Sequence, residues 1–504
     1  MDELLLQKEI SAGYDHINIV FPSDPSYNAD RIIANLRFSY RPFAIAYCTS
    51  AADVVECIRL CNKYNLGFRI RSGGHQHEGM CSADGIFLID LSAMSTIEYG
   101  AGNKTAWIPA GIKLKYVYTQ LEALNRIIPG GGCGTVCIGG LTQGGGWGPS
   151  ARKLGLTCDN ILAAEIVLAS GELVTATNDN EYKDLFWAIK GGGGGNFGVV
   201  TKFLFKLTSI NGTLTTFSIC WGKEHISAFV SKWVSIASQL DDNLTTFCRL
   251  SVVDSDTVDH PSILLGGQFY GTKADLLKIL KPFYDIAEPF SQSITPVVYQ
   301  EPGTAGQMNM VGQFASSNAD LSSLLQHAVP NAPKETCDGP HPHKISSTFP
   351  TGKQDYEALV NTIIDFLGKS KPFPAANTYL SLHGMGGQVK RVPEGDSAFP
   401  YKDKDFLLQF QAWWADAADP DTSNYMNWIE SFRTTLLPYT EGSFINFPDV
   451  NLVKNYHTEQ GRLELLEYYY AQNLTLLRRI KYKYDKGNLF SFGMSIPPMK
   501  HGGN

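Results

Sequence analysis

The sequence predicts an α+β protein, and two observations predict it. Glycine, with 48 copies among 504 residues, crowds into the first 200 positions between short strand-like segments. From about Asn211 it thins, and alternating apolar segments interleave with amphipathic helices, the pattern of a largely antiparallel sheet flanked by helices. The length holds two or three domains and a sizeable core.

Taken in chain order, Phe43 to Tyr47 reads as a short buried strand, and Ser50 as the cap of a helix that carries Val54, Val55, Ile58 and Cys61 on one face. Gly67 is expected to stop that helix before a second strand, Phe68 to Arg71, which completes a β-α-β unit and runs into a glycine loop. Further strands are expected at Ile86 to Leu91, Ile161 to Leu168 and Val199 to Phe205. In the second texture, strands fall at Thr213 to Cys220, Ile263 to Tyr270, Asn377 to His383 and Phe406 to Trp414, with helices at Glu224 to Leu240 and Ala274 to Ala287. Val329 to Pro342 reads as a surface loop, and one further helix after Leu463 ends near Tyr484.

With 43% hydrophobic residues, 18% charged residues and a net charge of -7, the composition is globular, with no basic surplus for nucleic acid and no acidic tail. No signal peptide is read in the first residues, and no apolar run is long enough for a bilayer. Ten scattered cysteines point to a reducing compartment, so a cytoplasmic monomer or weak homodimer without a metal site or membrane partner is expected.

Three constellations carry the chemistry. Arg71-Ser72-Gly73-Gly74-His75 places consecutive backbone N–H groups where they can cradle a pyrophosphate, with a histidine at the edge. Gly132 to Gly148 contains Cys133 and dense glycine, and Gly191 to Gly195 runs into Asn196-Phe197-Gly198-Val199-Val200. Glycine lets backbone approach a large ligand closely, although ordinary tight turns are the other reading of these runs.

In order and separation, these motifs resemble the FAD-linked oxidases of the vanillyl-alcohol oxidase / para-cresol methylhydroxylase superfamily, and within it the berberine bridge enzyme-like group. The resemblance covers nearly all of the first 205 residues and about the last 60. It implies a two-part FAD-binding domain, residues 1–210 and 451–504, around a substrate-binding domain, residues 211–450. It places the 8α-methyl link to the flavin on His75 and the C6 thioether on Cys133. Gly134 replaces the family's proline after that cysteine, and Cys137 replaces a glycine. Further flavin contacts carried over are Arg71, Ser72, Gly73, Gly74, Gln76, Thr135, Val136, Gly139, Gly140, Leu141, Gly144, Gly145, Gly146, Trp147, Asn196, Gly198, Val199, Val200, Tyr470 and Asn473. Asn473 would be buried against the flavin, and the modest size of Val136 favours reaction with dioxygen. Two alkylations of the ring system would make the flavin a stronger electron acceptor.

The family's Tyr-X-Asn-Tyr-X-Asp strand reads Phe444-Ile445-Asn446-Phe447-Pro448-Asp449 here, and its Asp-Leu-His-Gly strand reads Ser381-Leu382-His383-Gly384. Neither phenylalanine can take a proton. Strand alternation instead puts Tyr379 and His383 on one face of their strand, and likewise Gln409 and Gln411 together on one face of theirs, which makes Tyr379, His383 and Gln409 the candidate catalytic residues. The expected activity is hydride transfer from an alcohol, amine or benzylic C–H of a small ring-containing molecule to flavin N5, with dioxygen giving hydrogen peroxide. A flavoprotein that cyclises or binds without oxidation, and a carbohydrate oxidase, are the alternatives.

Overall fold

The computed structural model describes residues 3–299 and 340–499, so the expected loop from Val329 lies, as far as residue 339, outside the described residues. Among the described residues three large sheets and one two-stranded sheet form. A four-stranded sheet has the order Asn18–Val20, Ala44–Tyr47, Phe87–Asp90, Phe68–Arg71, the last three parallel. A five-stranded antiparallel sheet runs Glu98–Tyr99, Thr105–Pro109, Val199–Lys206, Ile161–Val167, Leu173–Ala176.

Helix Ala51–Tyr64 begins as the sequence requires: Ser50 Oγ accepts from Asp53 N and the Asp53 carboxylate accepts from Ser50 N. Its end differs from expectation. Asn65, in the left-handed region at φ 52°, terminates it, and Gly67 merely leads into the next strand. The two strands of the expected β-α-β unit are not neighbours either, because Phe87–Asp90 inserts between them and pairs with both.

The third sheet has eight antiparallel strands in the order Ser291–Tyr299, Gly212–Trp221, Ile263–Phe269, Leu244–Ser251, Ala376–Gly384, Phe406–Trp414, His343–Pro350, Thr440–Glu441. Alternation assigns its two faces. Leu380, Leu382, Leu408 and Phe410 point to helices Ile226–Ala237, Lys273–Tyr284, Tyr356–Lys369 and Thr422–Leu436, and share one apolar core with them. The opposite face, which carries Tyr379, Ser381, His383, Gln409 and Gln411, turns toward the glycine-rich unit.

The C-terminal segment returns to that unit. In place of one helix there are two, Glu459–Tyr470 and Leu474–Tyr484, broken where Ala471 takes φ 43°. Leu465, Leu466, Tyr469, Leu477 and Ile480 enter the core of the N-terminal sheets. Lys481, fully buried, ties the join: its Nζ donates to Asp485 Oδ2 and to the carbonyls of Asn196 and Phe490 at 2.6–2.7 Å. The result is a unit built from the N-terminal and C-terminal segments, with the large sheet packed across it. Among the described residues no helix is long and apolar enough to cross a membrane, and no cluster of side chains could hold a metal.

Candidate active site

A cavity of about 380 Å³ lies between the glycine loops and the open face of the eight-stranded sheet. The loop at the end of strand Phe68–Arg71 gives it Ser72, Gly73, Gly74, His75, Gln76 and His77. Gly74 sits at φ 72°, a conformation that a side chain disfavours. Arg71 itself stays behind the loop, buried, with its Nε donating to Asp90 on the neighbouring strand. It anchors the loop and does not line the cavity.

The second loop contributes Cys133, Val136, Gly140, Leu141, Gly144 and Trp147. The two cysteines of this loop are not equivalent. Both line the cavity, but Cys133 is half-buried, whereas Cys137 is 3% exposed, is wedged against Gly73 and donates to Gly111 O at 3.0 Å. Asn196 and Tyr470 also reach the cavity, Tyr470 with its hydroxyl donating to Gly192 O at 2.9 Å.

Nine of the residues expected at the flavin lie off the cavity, for packing reasons. Besides Arg71 these are Thr135, Gly139, Gly145, Gly146, Gly198, Val199, Val200 and Asn473. A side chain at Gly139 would press on Ala110 O, and one at Gly198 on Ile166 and Val167. Gly145 and Gly146 form the turn whose carbonyls accept from Cys158 N and Thr157 N at 2.9 Å. Val199 and Val200 are interior strand residues. Asn473 is half-buried and donates to Ala398 O at 3.1 Å.

Across the cavity the sheet presents a connected polar row. Trp413 Nε1 and Tyr379 Oη both donate to Gln411 Oε1 at 2.8 Å, Gln411 Nε2 donates to Gln409 Oε1 at 2.8 Å, and His383 Nε2 lies 2.7 Å from the same oxygen. An indole N–H can only donate, so it fixes the Gln411 amide, which fixes Gln409, which in turn makes His383 Nε2 the protonated nitrogen. Burial pushes His383 down to about 4, so its ring is neutral near pH 7. Its Nδ1 is buried and has no hydrogen-bond partner among the described residues. Trp147, Phe247 and Phe447 surround that ring at centroid distances of 4.4, 6.1 and 6.3 Å.

Sequence reasoning did not name His77, Phe247, Arg249, Ile345 or Trp413, all of which line the cavity. Phe247 and Arg249 sit on strand Leu244–Ser251, and Ile345 on His343–Pro350, neither of which was anticipated. The alternation of Phe247, Arg249 and Ser251 was the available signal.

The residues present fit FAD. Bare backbone faces the cavity at Gly140, where an added side chain would meet nothing within 4 Å. No carboxylate lines the cavity among the described residues, so an anionic dinucleotide meets no like charge.

The fold and this cavity define a flavin-dependent oxidoreductase. Residues 42–177 match the FAD binding domain family and residues 443–497 the berberine and berberine-like family. An uncharacterized FAD-linked oxidoreductase of Bacillus subtilis, YgaK, is 31% identical over 486 residues, 96% of this chain and 97% of that one. Berberine bridge enzyme-like 1 of Physcomitrella patens superposes with a TM-score of 0.81 at 25% identity over 98% of this chain and all of its own. The glucooligosaccharide oxidase of Acremonium strictum shares the fold, with a TM-score of 0.79 at 23% identity over 98% and 100%. The chain belongs to the berberine bridge enzyme-like FAD-linked oxidoreductases of the vanillyl-alcohol oxidase superfamily.

Proposed function

We propose that this oxidoreductase is an oxidase whose flavin is joined to His75 and Cys133, and that it oxidises an alcohol, amine or benzylic C–H of a small ring-containing molecule. The observation that carries the reading is the meeting, in one cavity, of a half-buried thiol, a loop-edge imidazole and a polar sheet face. The Acremonium strictum enzyme is described as carrying a 6-S-cysteinyl, 8α-N1-histidyl FAD, which supports assigning both links here. Cys137, with its thiol buried and bonded to Gly111 O, is the poorer candidate for the sulfur.

Bound FAD supplies a two-electron acceptor at N5. The chain's part is to hold the substrate carbon against that atom, to exclude water with Phe444, Phe447, Phe247 and Trp147, and to remove a proton from the neighbouring O–H or N–H. Tyr379, His383 and Gln409 form the polar wall that orients the substrate. In an alcohol or amine, the C–H hydrogen leaves with its electron pair as hydride, the O–H or N–H proton leaves to the protein, and a C=O or C=N bond forms; dioxygen takes the two electrons together with two protons, one from the hydride and one from the protein, to become hydrogen peroxide. Aromatic walls at Phe444 and Phe447 favour a ring-containing metabolite over an oligosaccharide.

Peroxide release against a panel of aromatic alcohols, amines and glycosides tests this, with production from at least one aromatic member expected. No oxygen uptake with any of them, from protein whose flavin dithionite still reduces, rejects the oxidase. The two phenylalanines where the family has tyrosine also support a second reading, a flavoprotein that cyclises or binds without oxidation. Its substrate would leave the flavin oxidised under anaerobic conditions.

A further inference from the structure

The geometry points to His77 as the residue that takes the substrate's proton, its Nε2 lone pair held toward the cavity by a relay that starts at the backbone carbonyl of His341. The inference rests on the oxidase reading above. The relay is fixed one bond at a time. The carbonyl oxygen of His341 can only accept, and it lies 2.9 Å from His343 Nδ1, so that nitrogen carries a proton. Burial pushes His343 well below its ordinary pKa of 6.5 and His77 down to about 3, with His75 and Arg37 adding repulsion, so each ring is neutral and holds one proton. His343 Nε2 is therefore a bare lone pair, and His77 Nδ1, 2.9 Å away, must donate to it.

His77 Nε2 is what remains. It has no hydrogen-bond partner among the described residues, it is not covered as His383 Nδ1 is, and its ring lines the cavity. The two other titratable candidates are less available. The hydroxyl proton of Tyr379 is committed to Gln411, and the bare nitrogen of His383 is buried.

The relay also stands at the right place. His343 faces Trp413 across the strand pair with rings stacked at 4.1 Å, and Trp413 donates to the same Gln411 that receives Tyr379. His77 thus closes the end of the polar row, beside Phe447 at 6.1 Å. The charged groups around it are Arg37, itself paired with Glu78 at 2.8 Å, and Lys344, which bridges Glu78 and Asp449. No carboxylate faces the His77 ring on the cavity side among the described residues.

In the oxidation of an alcohol, the hydride leaves carbon, the O–H bond breaks, its electrons form the C=O bond, and the proton passes to His77 Nε2. The charge that arises on His77 is stabilised through its Nδ1–H bond to His343. Hydride and proton together are the two hydrogens that dioxygen receives as hydrogen peroxide.

The test uses the flavin-loaded full chain. Long-range ¹H–¹⁵N spectra of histidine-labelled protein, assigned with His77→Gln, should show Nδ1 protonated and Nε2 bare at about pH 7; the opposite tautomer, or an imidazolium, overturns the relay. In anaerobic mixing with the fastest alcohol of the panel, His77→Gln at matched flavin content should slow bleaching about a hundredfold or more. Added imidazole should restore part of that rate to His77→Ala. Bleaching at the wild-type rate in both variants, or loss without rescue, overturns the assignment of the proton. Failure of the oxidase reading looks different, because no panel member then bleaches the wild-type flavin, while the tautomer spectra still uphold or overturn the lone pair.

Discussion

His75 and Cys133 reach one cavity from loops 58 positions apart in sequence. If both are bonded to flavin, each link alone suffices. His75→Ala and Cys133→Ala should each keep the flavin on acid-precipitated protein, and only the double variant should release it into the supernatant. Release from either single variant shows that the link it lacks was the only one. At the same scale, Trp413→Phe deletes the obligate donor that orients both glutamines. It should cost about 1 kcal/mol in denaturant unfolding and should let the His383 tautomers mix in ¹⁵N spectra. Tyr379, His383 and Gln409 were legible in the sequence because a period of two assigns faces even without a fold. His77 was not, because its importance comes from a partner 266 positions away.

Among elements, the strands and helices were read more reliably than their ends and pairings. The face of Ala376–Gly384 that meets the cavity followed from alternation alone. Strands Leu244–Ser251 and His343–Pro350 escaped notice because Thr, Ser and Lys occupy positions in them that the fold buries. The break between the last two helices rests on an alanine at positive φ, for which sequence gives no warning. The C-terminal helix is held to the glycine loop at Asn196 chiefly by Lys481, a fully buried ammonium paired with Asp485. Lys481→Ala leaves that carboxylate buried and uncompensated, so unfolding free energy should fall by about 3–5 kcal/mol. Urea denaturation checks it, and a loss under 1 kcal/mol, roughly that of an exposed pair, would mean the join does not depend on this bond.

For the whole molecule, four histidines packed where the two units meet give stability a pH dependence. Burial lowers His77 to about 3 and His341 and His383 to about 4, and holds His343 well below its ordinary value. The unfolded chain takes up these protons near pH 6.5 while the folded chain does not, so stability is full above about pH 6.5 and falls as pH drops toward 4. His383→Gln should remove part of that slope, and parallel Tm-against-pH curves for variant and wild type would refute it.

The union of a flavin-binding unit with an aromatic sheet face stands or falls on how the flavin is held. Mass spectrometry of peptides from acid-denatured holoprotein reads this directly. A single cross-linked species containing His75, Cys133 and one FAD is expected, whereas unmodified peptides accompanied by free FAD would contradict covalent attachment.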